Sequence, residues 1–109
     1  MKSIPERDWK RIRDLKDELL NVACEQIFQR IEKLSADRAG QQHKTYLELY
    51  TLIKEEDKAI ADMFDGLSRN SAFFKIAALK HNGVLTDKQM ELFSEETQAV
   101  VKELCQFRR

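Results

Sequence analysis

Apolar residues recur along the chain at helical spacing. From Trp9 the series Ile12, Leu15, Leu19, Leu20, Val22, Ala23, Ile27, Ile31 and Leu34 advances mostly in steps of three and four, the spacing that lines one side of an α-helix. At about 100° per residue these positions fill an arc of about 200°, twice the minimum stripe of a surface helix. The opposite side carries Lys10, Asp14, Asp17, Glu18, Asn21, Glu25 and Glu32. The pattern predicts a helix over about 4–36. Pro5 suits its first turn, where a missing N–H costs nothing, and Glu6 and Asp8 face the positive end of the helix dipole. The segment Ser35–Gly40 is the expected connection.

A second series, Tyr46, Leu49, Tyr50, Ile53, Ile60, Met63, Phe64 and Leu67, predicts a helix over about 42–66. The breaker-rich stretch Asp65–Ser71 follows, yet the helical beat survives it, so either one helix runs on to His81 or the chain bends at Gly66 and resumes. Residues Ala72–Leu79 are apolar nearly all round, the mark of a buried helical segment over about 70–82. Asn82-Gly83 reads as its stop, with glycine in the left-handed position. Thr86-Asp87-Lys88-Gln89 is a capping box that opens a last helix, expected to run over about 87–107. Its stripe is Met90, Phe93, Val100, Val101, Leu104, Cys105 and Phe107.

Composition agrees with this pattern. Three Gly and one Pro in 109 residues leave few turns, and the dominant Leu, Glu, Lys, Gln, Arg and Ala are good helix formers. The expected fold is all-α, an elongated helical bundle on a long antiparallel hairpin, with three long or four helices in a single domain spanning 1–109. A first helix of about 32 residues is roughly 48 Å long, whereas a compact chain of this size has a radius of gyration near 13 Å. Both hairpin arcs are too wide for one partner each. A second copy of the chain supplies the missing contact, because two-fold dimers are the commonest oligomers. The expected interface uses Trp9, Ile12, Leu19 and Ile27 from the first helix and Ile53 and Ile60 from the second.

Local catalytic signatures are missing. Gly40, Gly66 and Gly83 are isolated, so no phosphate-binding loop is present, and His43 and His81 lack the Glu-x-x-His context of a di-iron bundle. Cys24, His43, His81 and Cys105 match no zinc-finger spacing; the two cysteines read as reduced thiols. No metal and no cofactor are expected. The start of the chain has no apolar run of a secretory signal, and no window approaches a membrane span, so the expected compartment is the cytoplasm.

Polar residues inside the apolar arcs are the sharpest chemical feature. Asp57 lies among Tyr50, Ile53, Ile60 and Phe64, with Glu56 beside it; Lys16 falls inside the first arc and Arg13 near its edge. A buried carboxylate needs a partner, so Asp57, Glu56, Lys16 and Arg13 form a candidate buried polar network that sets register between helices. Tyr46, Tyr50, Phe64, Phe73 and Phe74 read as core. Lys2, Arg7, Lys10, Arg11, Arg13 and Lys16 outnumber Glu6, Asp8 and Asp14 near the start, and Arg108-Arg109 end the chain. The pI near 6.7 argues against a nucleic-acid footprint, which favours values above about 9. The expected function is a non-enzymatic helical interaction or regulatory protein acting as a homodimer with an unknown protein partner. The alternative is a nucleic-acid-associated accessory protein using the basic first helix. A carboxylate-based metal-binding or enzymatic bundle around Glu56 and Asp57 ranks last.

Overall fold

A computed structural model of the chain describes residues 3–108. It is all-α: α1 (Glu6–Ala36), α2 (Gln42–Phe64), α3 (Ala72–His81), α4 (Asp87–Met90) and α5 (Glu95–Cys105), with 75% of the described residues helical. The shape is elongated. The radius of gyration is 16.3 Å and the extents are 54 × 22 × 21 Å. Two members of the basic cluster, Lys2 and Arg109, lie outside the described residues.

α1 and α2 form the antiparallel hairpin, and α3 to α5 fold into a lobe against its base. The chain bends at Gly66, which takes a positive φ of 70°. The Ser71 hydroxyl then locks the turn by donating to the Gly66 carbonyl at 2.7 Å and accepting from the Ser68 N–H at 2.9 Å. α3 is the centre of the lobe: Ala72, Phe73, Ile76, Ala77, Ala78 and Leu79 are all buried. Burying side chains the size of Phe73, Ile76 or Leu79 stabilises by about 1.5–3 kcal/mol each. α3 ends at Gly83, φ 70°, with Val84 N–H donating to Leu79 O and Gly83 N–H to Lys80 O, the paired closure of a glycine C-cap. The Thr86–Gln89 capping box is formed.

The expected single helix over 87–107 is broken. α4 is one turn, and α5 starts afresh after Ser94, whose hydroxyl accepts from the Thr97 N–H. Phe93, 2% exposed, turns into the core at this corner. A carboxylate from the other end of the chain meets this break. Asp8 on α1 is 0% exposed and accepts the Ser94 N–H at 3.0 Å, the Ser94 hydroxyl at 2.5 Å and the Thr97 hydroxyl at 2.5 Å. It thus sits at the N-terminus of α5, where negative charge is favoured. Burial by itself would raise the Asp8 carboxyl; the hydrogen bonds from Ser94 and Thr97 overcome this and hold it below its ordinary value.

Candidate functional site

All the buried residues of the hairpin lie in its base. In α1 they are Asp8, Trp9, Ile12, Leu19 and Ala23, and in α2 Met63 and Phe64. From Cys24 to Asp62 not one residue is buried. The two helices meet there along a seam in which Thr45, Leu49, Leu52, Glu56, Ala59 and Met63 of α2 follow a four-three spacing, the beat of a coiled-coil seam. Gln26, Arg30 and Leu34 continue the seam on α1. Arg30 Nη1 lies 2.8 Å from Glu56 Oε2, with side chains 49% and 24% exposed. A pair this open to water contributes at most about 1 kcal/mol.

The helical step places different residues on the two flanks of the hairpin. On one flank, α1 presents Leu20, Cys24, Ile27, Phe28 and Ile31, and α2 presents Tyr46, Tyr50, Ile53 and Ile60. Phe28 is 59% exposed, Tyr46 and Tyr50 62% each, and Ile53 48%. The other flank is mixed. Near the tip it holds a shallow groove of about 820 Å³ whose walls include Lys33, Lys44, Glu48, Thr51 and Glu55. Towards the base it carries the lobe: Gln26 donates to Gly83 O at 3.2 Å, Lys75 to Asp62 O at 2.8 Å, and Arg108 pairs with Asp62 at 2.8 Å. The Arg108 hydrogen bond holds Asp62 below the usual carboxylate range. The lobe therefore leaves the apolar flank open.

The candidate network does not assemble within the chain. Asp57 is exposed, and Lys16, also exposed, is not its partner. The reason is that the apolar arc of α2 has two halves. The half holding Leu49, Leu52 and Met63 turns to α1, and the half holding Tyr46, Tyr50 and Ile53 turns to solvent, taking Asp57 with it. Glu56 alone joins the seam, with Arg30 rather than Lys16 or Arg13. Arg13 is exposed and lies over the Trp9 ring at 5.9 Å, with Arg69 at 5.4 Å. Arg69 also grips Glu6 at 2.9 and 3.1 Å; that hydrogen bond lowers the Glu6 pKa and raises that of Arg69. The Trp9 Nε1–H is buried without a partner.

The candidate interface divides in the same way. Trp9, Ile12 and Leu19 are 8%, 1% and 0% exposed; they fill the chain's own core and have no surface for a partner. Ile27 and Ile60 are half-buried and Ile53 is open. Of the five aromatics expected in the core, Phe64 and Phe73 are there, while Tyr46, Tyr50 and Phe74 are exposed. Arg7, Lys10, Arg11, Arg13 and Lys16 are exposed but point in different directions around α1, with Asp14 and Asp17 between them. Among the described residues, no three of His, Cys, Asp and Glu converge as metal ligands, and no helix is long and apolar enough to cross a membrane. Cys24 and Cys105 are free and half-buried.

The Asp8–Ser94–Thr97 cluster is the site that sequence reasoning missed. Its signal was present on both sides. Asp8 shares the buried beat of Ile12, Leu15 and Leu19, four and three residues apart, and Ser94-Glu95-Glu96 reads as a helix start. No family model matches the chain, and neither does any curated protein or solved structure.

Proposed function

We propose that the protein is a non-enzymatic helical interaction protein of the cytoplasm that acts as a homodimer through the apolar flank of its hairpin. The observation that carries this reading is the run from Cys24 to Asp62 without one buried residue, although it contains Ile27, Phe28, Ile31, Tyr46, Tyr50 and Ile53. Domains are built from packed layers around a core, and two helices alone make no second layer here.

The areas match a partner of protein size. Phe28, Tyr46 and Tyr50 are about six-tenths exposed, which at roughly 200 Å² per aromatic side chain is about 360 Å². Ile53 takes the patch past roughly 400 Å², the scale at which an exposed apolar surface marks an interaction site. Two such patches, with the half-buried Leu20, Ile27, Ile31 and Ile60 around them, approach the roughly 1,200–2,000 Å² of a standard interface. The polar side chains elsewhere serve the fold: Asp8 holds the Ser94 cap of α5, Glu56 pairs with Arg30 and Asp62 with Arg108. Two free thiols suit a reducing compartment.

Light scattering at micromolar concentration tests the reading. The chain of 12.8 kDa is expected at about 26 kDa, twice its mass. Ile53→Asp, at a position already 48% exposed, is expected to give the single-chain mass with its helical circular dichroism intact. A single-chain mass for the unaltered protein across the concentration range overturns it.

A further inference from the structure

We infer that the two copies pack with their hairpins pointing the same way, α1 of each against α2 of the other, so that both lobes lie at one end of the dimer. This rests on the dimer proposed above and adds its orientation. Two flat hairpins whose helix axes stay aligned can meet face to face about a two-fold axis in two ways. With the axis along the helices, each α1 faces the partner's α2. With the axis across them, each α1 faces the partner's α1 and the tips point in opposite directions.

The charges bordering the apolar flank distinguish the two. Along the outer edge of α1 from Asp17 to the turn, beyond Leu20, Phe28 and Ile31, the helical step places Asp17, Glu25 and Glu32 and no base; Arg7 and Lys10 lie on the same edge only at the base, below the apolar patch. Along the outer edge of α2, beyond Tyr50 and Ile53, it places Lys54 and Lys58, with His43 near the tip; the one acid on this side, Asp57, lies inside the apolar strip rather than on its edge. Glu25, Glu32, Lys54 and Lys58 are all exposed. Packing α1 on the partner's α2 sets an acidic edge against a basic one on both sides of the interface. Packing like on like sets acid against acid and base against base, and opposed like charges select against a pairing.

Levels along the hairpin agree. Ala36 and Gln42 flank the turn and Arg30 pairs with Glu56, so Glu25 lies level with the stretch of α2 that holds Lys54 and Lys58. Rotation about an axis along the helices leaves each residue at its own level. Glu25 then meets Lys54 and Lys58 of the partner subunit. In the crossed arrangement, with the axis through the middle of the apolar patch near residue 26, Glu25 meets its own copy. The lobes impose no obstacle, because they sit on the opposite flank.

Spin-label distances settle the orientation. Labels go on Lys10→Cys in a Cys24→Ala, Cys105→Ser background that retains the dimer mass by light scattering. The shared orientation places the two labels at one level across a four-helix section, under about 35 Å apart at interaxial distances of 8–10 Å. The crossed orientation places them roughly 48 Å or more apart, from 16 residues at 1.5 Å on each side of the axis. The second measurement is the sign of Glu25→Gln at low salt. Weakening of the dimer by about two- to fivefold supports the shared orientation; strengthening, from removal of a like-charge contact, overturns it. A dimer with the long distance overturns the orientation and leaves the homodimer standing. An unaltered chain that stays monomeric overturns both.

Discussion

Leu19 and Phe28 belong to one helix, yet the first is 0% exposed and the second 59%. Nothing in their chemistry separates them; what differs is the layer beneath. At the base, α3 and α5 close over α1 and α2, and Ile12, Leu19, Ile76, Leu85 and Phe93 share a core. In the outer hairpin the same kind of amphipathic helix has one neighbour and no second layer. Most helical stability in proteins comes from packing of the amphipathic face, so the outer hairpin depends on continuity with the base and, as proposed, on a second copy. The molecule thus divides into a part that folds on itself and a part that offers its apolar surface outward.

The largest expected effect breaks the comparison at its base. Leu19→Asp puts an unpaired charge into a fully buried site, at a cost of several kcal/mol against a typical total of about 5–15. Chemical denaturation is expected to show a largely unfolded chain. Ile53→Asp, the equivalent change in the outer hairpin, is expected to leave the thermal midpoint of the monomeric chain within about 2–4 °C; unfolding by both would erase the distinction between the two regions.

Next comes Asp8. Asp8→Ala strands the Ser94 N–H and the Ser94 and Thr97 hydroxyls at the start of α5, an expected loss of about 3 kcal/mol by urea titration. The same site predicts a pH dependence. The Asp8 carboxyl is depressed in the folded protein through its hydrogen bonds, despite its burial. Its stabilisation is therefore complete above the ordinary carboxyl value of about 3.9 and is lost as pH falls through the lower folded value. Glu6 and Asp62 shift in the same direction, so the measurement is the difference between the unaltered chain and Asp8→Asn. The variant is expected to lose the Asp8 share of the decline below about pH 4, and an identical acid limb would remove Asp8 from the account.

Arg30→Ala sharpens the comparison from the outer side. Its ion pair with Glu56 is half open to solvent, so a loss under about 1 kcal/mol is expected. Smallest of all is Asp57→Ala, which is expected to move monomer stability by less than about 0.5 kcal/mol. A loss of several kcal/mol at Asp57 in the monomeric Ile53→Asp background would mean that the residue is internal to the single chain after all.

How much of this was legible in the residues themselves follows the range of the interactions. The helices, the Gly83 stop and the Thr86–Gln89 box depend on neighbours three or four positions away, and the periodicity contains them. The elongated shape follows from helix length alone. The wide arc of α2 was visible, but it holds two half-faces, and spacing does not say which one the chain itself will cover. Asp57 was placed inside for that reason. Ser94 was read through as helix because Phe93, Val100 and Val101 keep the beat on either side of it. The break itself has a local sign, the Ser94 cap of α5; what spacing does not show is that Asp8, 86 positions earlier, meets it.

That contact joins the first turn of the first helix to the first turn of the last. On a growing chain the Asp8 carboxylate emerges early and stays solvated until Ser94 and Thr97 follow, roughly 4–17 s later at ordinary synthesis rates. Closing so long a loop is slow compared with zipping a hairpin between neighbouring helices. The partners of the outer hairpin are both made once α2 is complete, while α1's base must wait for the end of the message. A nascent protein would display its apolar flank before its own core is sealed, and in the proposed dimer that interval is when two chains made side by side on one message would meet.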